Sequence, residues 1–259
     1  MKIEPRTRSV QLQGVNVTVS EAGEGRALLI LHGGGGPQTV APIAAHFAQT
    51  AHTLTPTHPG WNGTERPEWF SGIDDLAIAY LSLLAERGLR DVLVIGSSMG
   101  GWVAAEMAVR DQAGLITGIV LIGGLGVDLP EHPMCDFFRL TPRGIAEHAF
   151  HDPDRFFVDP SSLPPEQVAR QRANIAALRV VAGDMHDPKL LRRLGHVRIP
   201  ALALWGASDR VVTPAYGKAY AAAFAKGRFE VIERAGHLPQ IEQPATTFAR
   251  LDAFSAQAI

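Results

Sequence analysis

The sequence predicts an α/β fold: a mostly parallel sheet with helices on both faces, broken once by a helical insertion. Three observations carry this. Continuous apolar runs at 27–31, 92–95, 118–122 and 201–205 read as strands buried on both faces. Helical periodicity alternates with these runs along the chain. Between 128 and 198 the rhythm fails, and proline, histidine and arginine accumulate without a readable strand pattern. A chain of 259 residues fits one domain with an insertion. It can bury about 70–75% of its unfolded surface without disulfide or metal staples. The expected organisation is a core made of 1–127 and 199–259, with a helical cap at 128–198.

Residues 9–12 and 15–20 alternate around Gly14 and predict a hairpin. The run 27–31 ends in His32-Gly33-Gly34-Gly35-Gly36-Pro37, and a weaker strand at 53–57 ends in His58-Pro59-Gly60-Trp61-Asn62-Gly63. Residues 74–86 place apolar side chains at helical spacing, with Gly88 suited to stop the helix. The strand at 92–95 leads into a helix at 100–110, and 118–122 is the next strand. After the insertion come a strand at 201–205, a helix at 214–225, a strand at 228–232 and a closing helix at 246–256. Inside the insertion, 165–181 and 188–194 have helical character. Phe137, Phe138, Phe156 and Phe157 need a surface to bury against, which a linker would not provide.

Composition excludes several classes. With 46% apolar and 19% charged residues the chain has an ordinary globular balance. A net charge of −2 gives no broad basic field for nucleic acid. The single cysteine, Cys135, can form neither an internal disulfide nor a cysteine metal cluster. No apolar run approaches the roughly 20 residues of a membrane span, and no apolar stretch follows the charged N-terminus as a secretory signal would. A cytoplasmic protein with a small-molecule substrate, and with no membrane or nucleic-acid partner, is expected.

The chemistry concentrates at Gly96-Ser97-Ser98-Met99-Gly100, a G-x-S-x-G turn between a buried strand and a helix. Such a turn is too sharp for side chains two before and two after the serine. It leaves Ser98 exposed at the strand's C-terminal end, beside the positive end of a helix. A hydroxyl needs a base. Of ten histidines, His237 lies in the loop after the last strand and therefore on the same sheet edge as Ser98. The base needs an orienting carboxylate. Asp209 follows the strand at 201–205 and is preferred, because a short loop leads from it straight to the next helix; Asp128 is its rival. The glycines after His32 can aim bare backbone at a developing oxyanion, with Gly34 and Met99 N–H as candidate donors and Gly35 as alternate. This loop has neither a Walker lysine nor dinucleotide spacing. His32 and His58 read as loop-shaping or pocket-lining residues, and His132, His148, His151, His186 and His196 as surface positions. No metal-ligand spacing occurs, and no cofactor is expected. Trp61 and Trp102 read as core first and as pocket lining second.

Taken together, the order Ser98, Asp209, His237, the GSSMGG elbow and the HGGGG loop resemble the α/β-hydrolase superfamily. The segments IPALALWGASDRVVTP and ERAGHLPQIEQP resemble its acid and histidine regions. The resemblance covers about 12–125 and 199–254 and implies an eight-stranded, mostly parallel sheet, a helical lid and acyl transfer by the triad. A serine, not an aspartate, at the nucleophile position argues against the dehalogenase and epoxide hydrolase branches. The loop Thr57-His58-Pro59-Gly60-Trp61-Asn62-Gly63 departs from the family's usual D-x-P-G-x-G. Leu238 stands where the superfamily's carbon–carbon bond hydrolases of ring-cleavage products commonly carry tryptophan. The leading expectation is therefore a serine hydrolase of a small or medium carboxylic ester. The alternatives are a carbon–carbon bond hydrolase of a diketone or ring-fission product, and a slow or non-catalytic small-ligand receptor.

Overall fold

The computed structural model describes residues 3–258; Met1, Lys2 and Ile259, at the outer ends of the two expected core segments, lie outside it. The chain opens with an antiparallel hairpin, β1 (Arg6–Leu12) and β2 (Val15–Ala22), turning at Gln13 and Gly14 with φ of 49° and 86°. Two positive φ values in a two-residue loop match the right-handed twist of the flanking strands. β3 (Ala27–Leu31), α1 (Ala41–Phe47), β4 (His52–Thr57), α2 (Ile73–Glu86), β5 (Val92–Ser97), α3 (Met99–Arg110) and β6 (Ile116–Ile122) complete the first half. Then come β7 (Gly126–Val127), the cap helices α4 (Pro142–Ala149), α5 (Pro153–Phe156) and α6 (Pro165–Ala182), β8 (His186–Asp187) and α7 (Leu190–Arg193). β9 (Ala201–Gly206), α8 (Pro214–Ala223), β10 (Gly227–Ile232), α9 (Pro239–Glu242) and α10 (Pro244–Gln257) close the chain.

Eight strands form one sheet in the order β1-β2-β4-β3-β5-β6-β9-β10. β2 pairs antiparallel with both its neighbours, and every other pairing is parallel. The apolar runs supply both faces by alternation. Leu29, Leu31, Val92, Val94, Ile119 and Leu121 face α2, α3 and α8, while Leu28, Ile30, Leu93, Ile95, Val120 and Ile122 face α1 and α10. β3 is flanked by β4 on one side and β5 on the other, so the strand order reverses there. A crevice at the carboxyl ends of β3 and β5 follows from that reversal.

The insertion differs from its sequence reading in two ways. It contains a strand after all: β8 pairs in parallel with β7, a bridge too short to leave a pattern in the sequence. Its helices also begin earlier, at α4 and α5, each opened by a capping side chain followed by proline. Thr141 accepts from Gly144 N–H, and Asp152 from Arg155 N–H. The four phenylalanines are half-buried: Phe138 lies beneath Arg179, Phe156 stacks on Phe150, and Phe157 lies beneath Arg143. Among the described residues no helix is long and apolar enough to cross a membrane.

Leu93 is fully buried in the centre of the sheet. Leu93→Ala is expected to lower the unfolding free energy by about 2–5 kcal/mol, read as a shift in the urea midpoint at unchanged slope.

Candidate active site

One residue, Ser98, separates β5 from α3, and its backbone (φ 57°, ψ −121°) belongs to neither element. An L-residue held at positive φ costs about 1–3 kcal/mol, so the surroundings must enforce it. They do so by close approach. A Cβ on Gly96 would lie 2.0 Å from the Gly100 carbonyl oxygen, and one on Gly100 would lie 2.2 Å from that of Leu31. Ser98 N–H donates to Ile122 O at 2.8 Å, which fixes the turn against β6.

His237 follows β10 in a loop whose N–H donates to Ala149 O of the cap at 2.6 Å. Its Nε2 accepts from the Ser98 hydroxyl at 2.9 Å, and its Nδ1 donates to Asp209 Oδ2 at 2.8 Å. Asp209 is buried, and its other oxygen accepts from Val211 and Val212 N–H at 2.9 and 3.1 Å. The carboxylate thus fixes the imidazole tautomer that leaves Nε2 free to take a proton. A Cβ on Gly206 would fall 2.0 Å from Gly236 O, so the acid and base loops meet through bare backbone. Asp128 is exposed and takes no part in this cluster.

The loop after β3 lies across from the elbow: a Cβ on Gly33 would approach Ser98 Cβ to 2.7 Å. Among the described residues, Gly34, Gly35 and Met99 N–H donate to no protein acceptor. The loop is held from behind by two buried imidazoles. His32 Nδ1 donates to Gly33 O at 2.7 Å, and its Nε2 accepts from His58 N–H at 3.0 Å. His58 Nε2 donates to His32 O at 2.9 Å, and its Nδ1 accepts from the Tyr80 hydroxyl at 2.5 Å. Every ring nitrogen is used by a neutral tautomer, so these two histidines shape the loop and do not line the cavity. Trp61 is core and donates to Gly34 O at 2.9 Å; Trp102 is also core. Of the remaining insertion histidines, His151 and His196 are exposed, and His132, His148 and His186 are half-buried. Among the described residues no group of three or more His, Cys, Asp or Glu side chains is placed to hold a metal ion.

Two residues had escaped the sequence reading. Glu242 is buried and accepts from Gly236 N–H at 2.5 Å, His151 N–H at 2.9 Å and Asp152 N–H at 3.3 Å, clasping the base loop to the cap. Gln240 Nε2 donates to Thr39 O at 3.2 Å and to Ser97 Oγ at 3.3 Å, bridging the glycine loop and the elbow. The acidic residue five positions after His237, inside the ERAGHLPQIEQP segment, was the available signal for Glu242. A cavity of about 190 Å³ opens over Ser98 and His237, walled mainly by apolar side chains of the core and the cap.

A model of the alpha/beta hydrolase family matches residues 28–251. The chain belongs to that family. This alpha/beta hydrolase is 26% identical to a 2-hydroxy-6-oxo-6-phenylhexa-2,4-dienoate hydrolase from Burkholderia cepacia, over 93% of this chain and 91% of the relative. It is 25% identical to a 2-hydroxy-6-oxo-6-(2'-aminophenyl)hexa-2,4-dienoic acid hydrolase from Metapseudomonas resinovorans, over 92% and 86%. The crystal structure of a membrane phospholipase A superposes with a TM-score of 0.82 at 22% identity, over 98% of this chain and 86% of that one, and shares the fold. The comparison corrects the ester expectation. Both of these relatives are by name hydrolases of oxo-dienoates, and neither is an esterase by name. The triad could not make that distinction, since an activated serine can attack the carbonyl of an ester or of a ketone. Leu238 was given too much weight: it is one apolar wall residue among several.

Burial is the main cause that holds both loop-shaping imidazoles neutral, lowering His58 to about 4 and His32 well below its ordinary value. Between about pH 6.5 and 4 the unfolded chain therefore binds more protons than this alpha/beta hydrolase does when folded. Stability is expected to be complete above that window and to fall as pH drops through it, by roughly 3 kcal/mol from His58 alone. Urea midpoints at pH 7 and pH 5 measure the fall, and His58→Gln should flatten it.

Proposed function

We propose that this hydrolase breaks a carbon–carbon bond beside a ketone, where the departing carbon is acidified by a second carbonyl directly or through conjugation. The observation that carries this is the match to dienoate hydrolases over about nine-tenths of both chains. The substrates their names print contain a conjugated ketone and a carboxylate but no ester. Hydrolysis of such a molecule must break the bond between the ketone carbon and its neighbour.

The geometry supports the following roles. His237 Nε2 takes the Ser98 proton as Oγ bonds to the ketone carbon, and the N–H groups of Gly34 and Met99 receive the oxyanion. As the oxyanion collapses, the carbon–carbon bond breaks and its electron pair passes to the departing carbon. The second carbonyl spreads that charge as an enolate, and His237 returns the proton to it. Water, activated by the same imidazole, then releases the acyl group as a carboxylic acid and restores Ser98. Asp209 stays ionised throughout and stabilises the imidazolium.

Offered a 6-oxo-2,4-dienoate and a 1,3-diketone in separate assays, the chain should cleave at least one of them and release one carboxylic acid per bond broken, followed by chromatography. Ser98→Ala is expected to lower kcat by about 10⁴-fold or more, and Asp209→Asn by about 10²–10⁴-fold. Asp128→Asn should stay within about twofold, as expected of a side chain outside the proton path. Release of acid from neither substrate sinks the reading.

A further inference from the structure

We infer that the substrate is a compact, uncharged diketone and that the cavity over Ser98 excludes an ionised carboxylate. This rests on the carbon–carbon hydrolase reading and departs from the relatives in substrate while keeping their reaction.

The wall decides it. Leu125, Phe137, Ile145, Ile175, Leu178 and Val211 form much of its apolar wall, and among the described residues no Lys, Arg, Asp or Glu side chain belongs to the lining. The polar side chains on the wall are Thr39, Ser97, Ser98 and His237. Ser97 Oγ is engaged by Gln240, while Ser98 and His237 are committed to each other. An ionised carboxylate brought here would lose its water and gain no cation, a strongly unfavourable exchange. The nearby fixed charge makes matters worse. Asp209 sits buried directly behind His237, and its partners are one imidazole and two backbone N–H groups, with no Lys or Arg among them. A second anion in the cavity would face that negative charge through a medium that screens it poorly. Arg179, one turn beyond Ile175 on α6, does not supply the missing cation: its guanidinium lies 4.6 Å over the Phe138 ring, outside the lining.

Reaction and wall agree on one class of molecule. The reaction needs a second carbonyl to stabilise the departing carbon, and a 1,3-diketone provides it without a carboxylate. Hydrolysis then consumes one water and yields one carboxylic acid and one methyl or alkyl ketone. The cavity, about 190 Å³, falls below the roughly 300–1,000 Å³ of ordinary ligand sites and favours short arms on either side of the dione. The acid product is ionised as it forms, so the same wall that rejects an anionic substrate helps to expel it.

The test uses the Ser98→Ala protein, which binds without turnover, and two probes: a neutral linear 1,3-diketone and the same diketone bearing a terminal carboxylate. Calorimetric titration at pH 7.5 should show the neutral probe bound at least tenfold more tightly. Ser98→Ala combined with Ile175→Arg, which sets a cation on the half-buried cap wall, should raise affinity for the acid at least tenfold and weaken the neutral probe. Equal or tighter binding of the acid to the unaltered wall overturns the inference, as does failure of both probes to bind. Binding and cleavage fail separately. An acid-preferring cavity in an enzyme that still cleaves the carbon–carbon bond overturns the charge exclusion alone. A neutral-preferring cavity in an enzyme that cleaves neither diketone nor dienoate overturns the reaction, and the substrate assignment with it.

Discussion

The backbone contact of Gly96, Gly100 and Leu31 is the constraint from which the rest of the site is built. It lets β5 turn into α3 within one residue, and it presses that turn against the exit of β3. The same contact therefore sets two things at once: the position of the half-buried Ser98 hydroxyl and the nearness of the glycine loop, where a Cβ on Gly33 would come within 2.7 Å of Ser98 Cβ. The backbone at Ser98 is unfavourable by itself, and it persists because β3, β5 and β6 all hold it. Ordinary packing of apolar strands thus maintains a reactive geometry without any charged residue at the turn.

Charge is used sparingly around that geometry. Two imidazoles behind the glycine loop are kept neutral by burial, and their four ring nitrogens serve as fixed donors and acceptors. Their partners are backbone groups, each other and the Tyr80 hydroxyl, so the loop is braced here without a buried anion. The buried carboxylate in contact with His237 is Asp209, and its burial is tolerated because both oxygens are hydrogen-bonded.

Much of this could be read from the sequence, for identifiable reasons. Unbroken apolar runs at 27–31, 92–95 and 201–205 read as doubly covered strands, and in a parallel sheet the loops after 92–95, 201–205 and 228–232 put Ser98, Asp209 and His237 on one rim. Asp209 was separable from Asp128 because a short loop to the next helix leaves it little freedom. Elements with weak or short signals escaped: α1 is seven residues after a glycine loop, α9 is four, and the β7–β8 bridge is two residues a side. Glu242 and Gln240 reach partners in the cap and in the first half of the core, His151, Asp152, Thr39 and Ser97, and local spacing does not announce partners so distant in the chain. Substrate class was the least legible, because a triad reports that a carbonyl is attacked and says nothing of the atom that leaves.

The seam between cap and core is joined mostly through the cap's own main chain. Ala149 O, His148 O and the N–H groups of His151, Asp152 and Cys135 make the ties, while core groups such as Glu242 and the Arg210 and Val211 backbone receive them. Asn174, which reaches Asn62 and Gly35 through its amide, and His151, whose Nδ1 meets Ser208 Oγ at 2.7 Å, are side-chain exceptions. A joint made of peptide groups is indifferent to which residues carry them. Where peptide groups carry the joint, the cap's side chains beside them are freer to change, and its inner surface can drift toward new ligands while the seam beneath stays as it was.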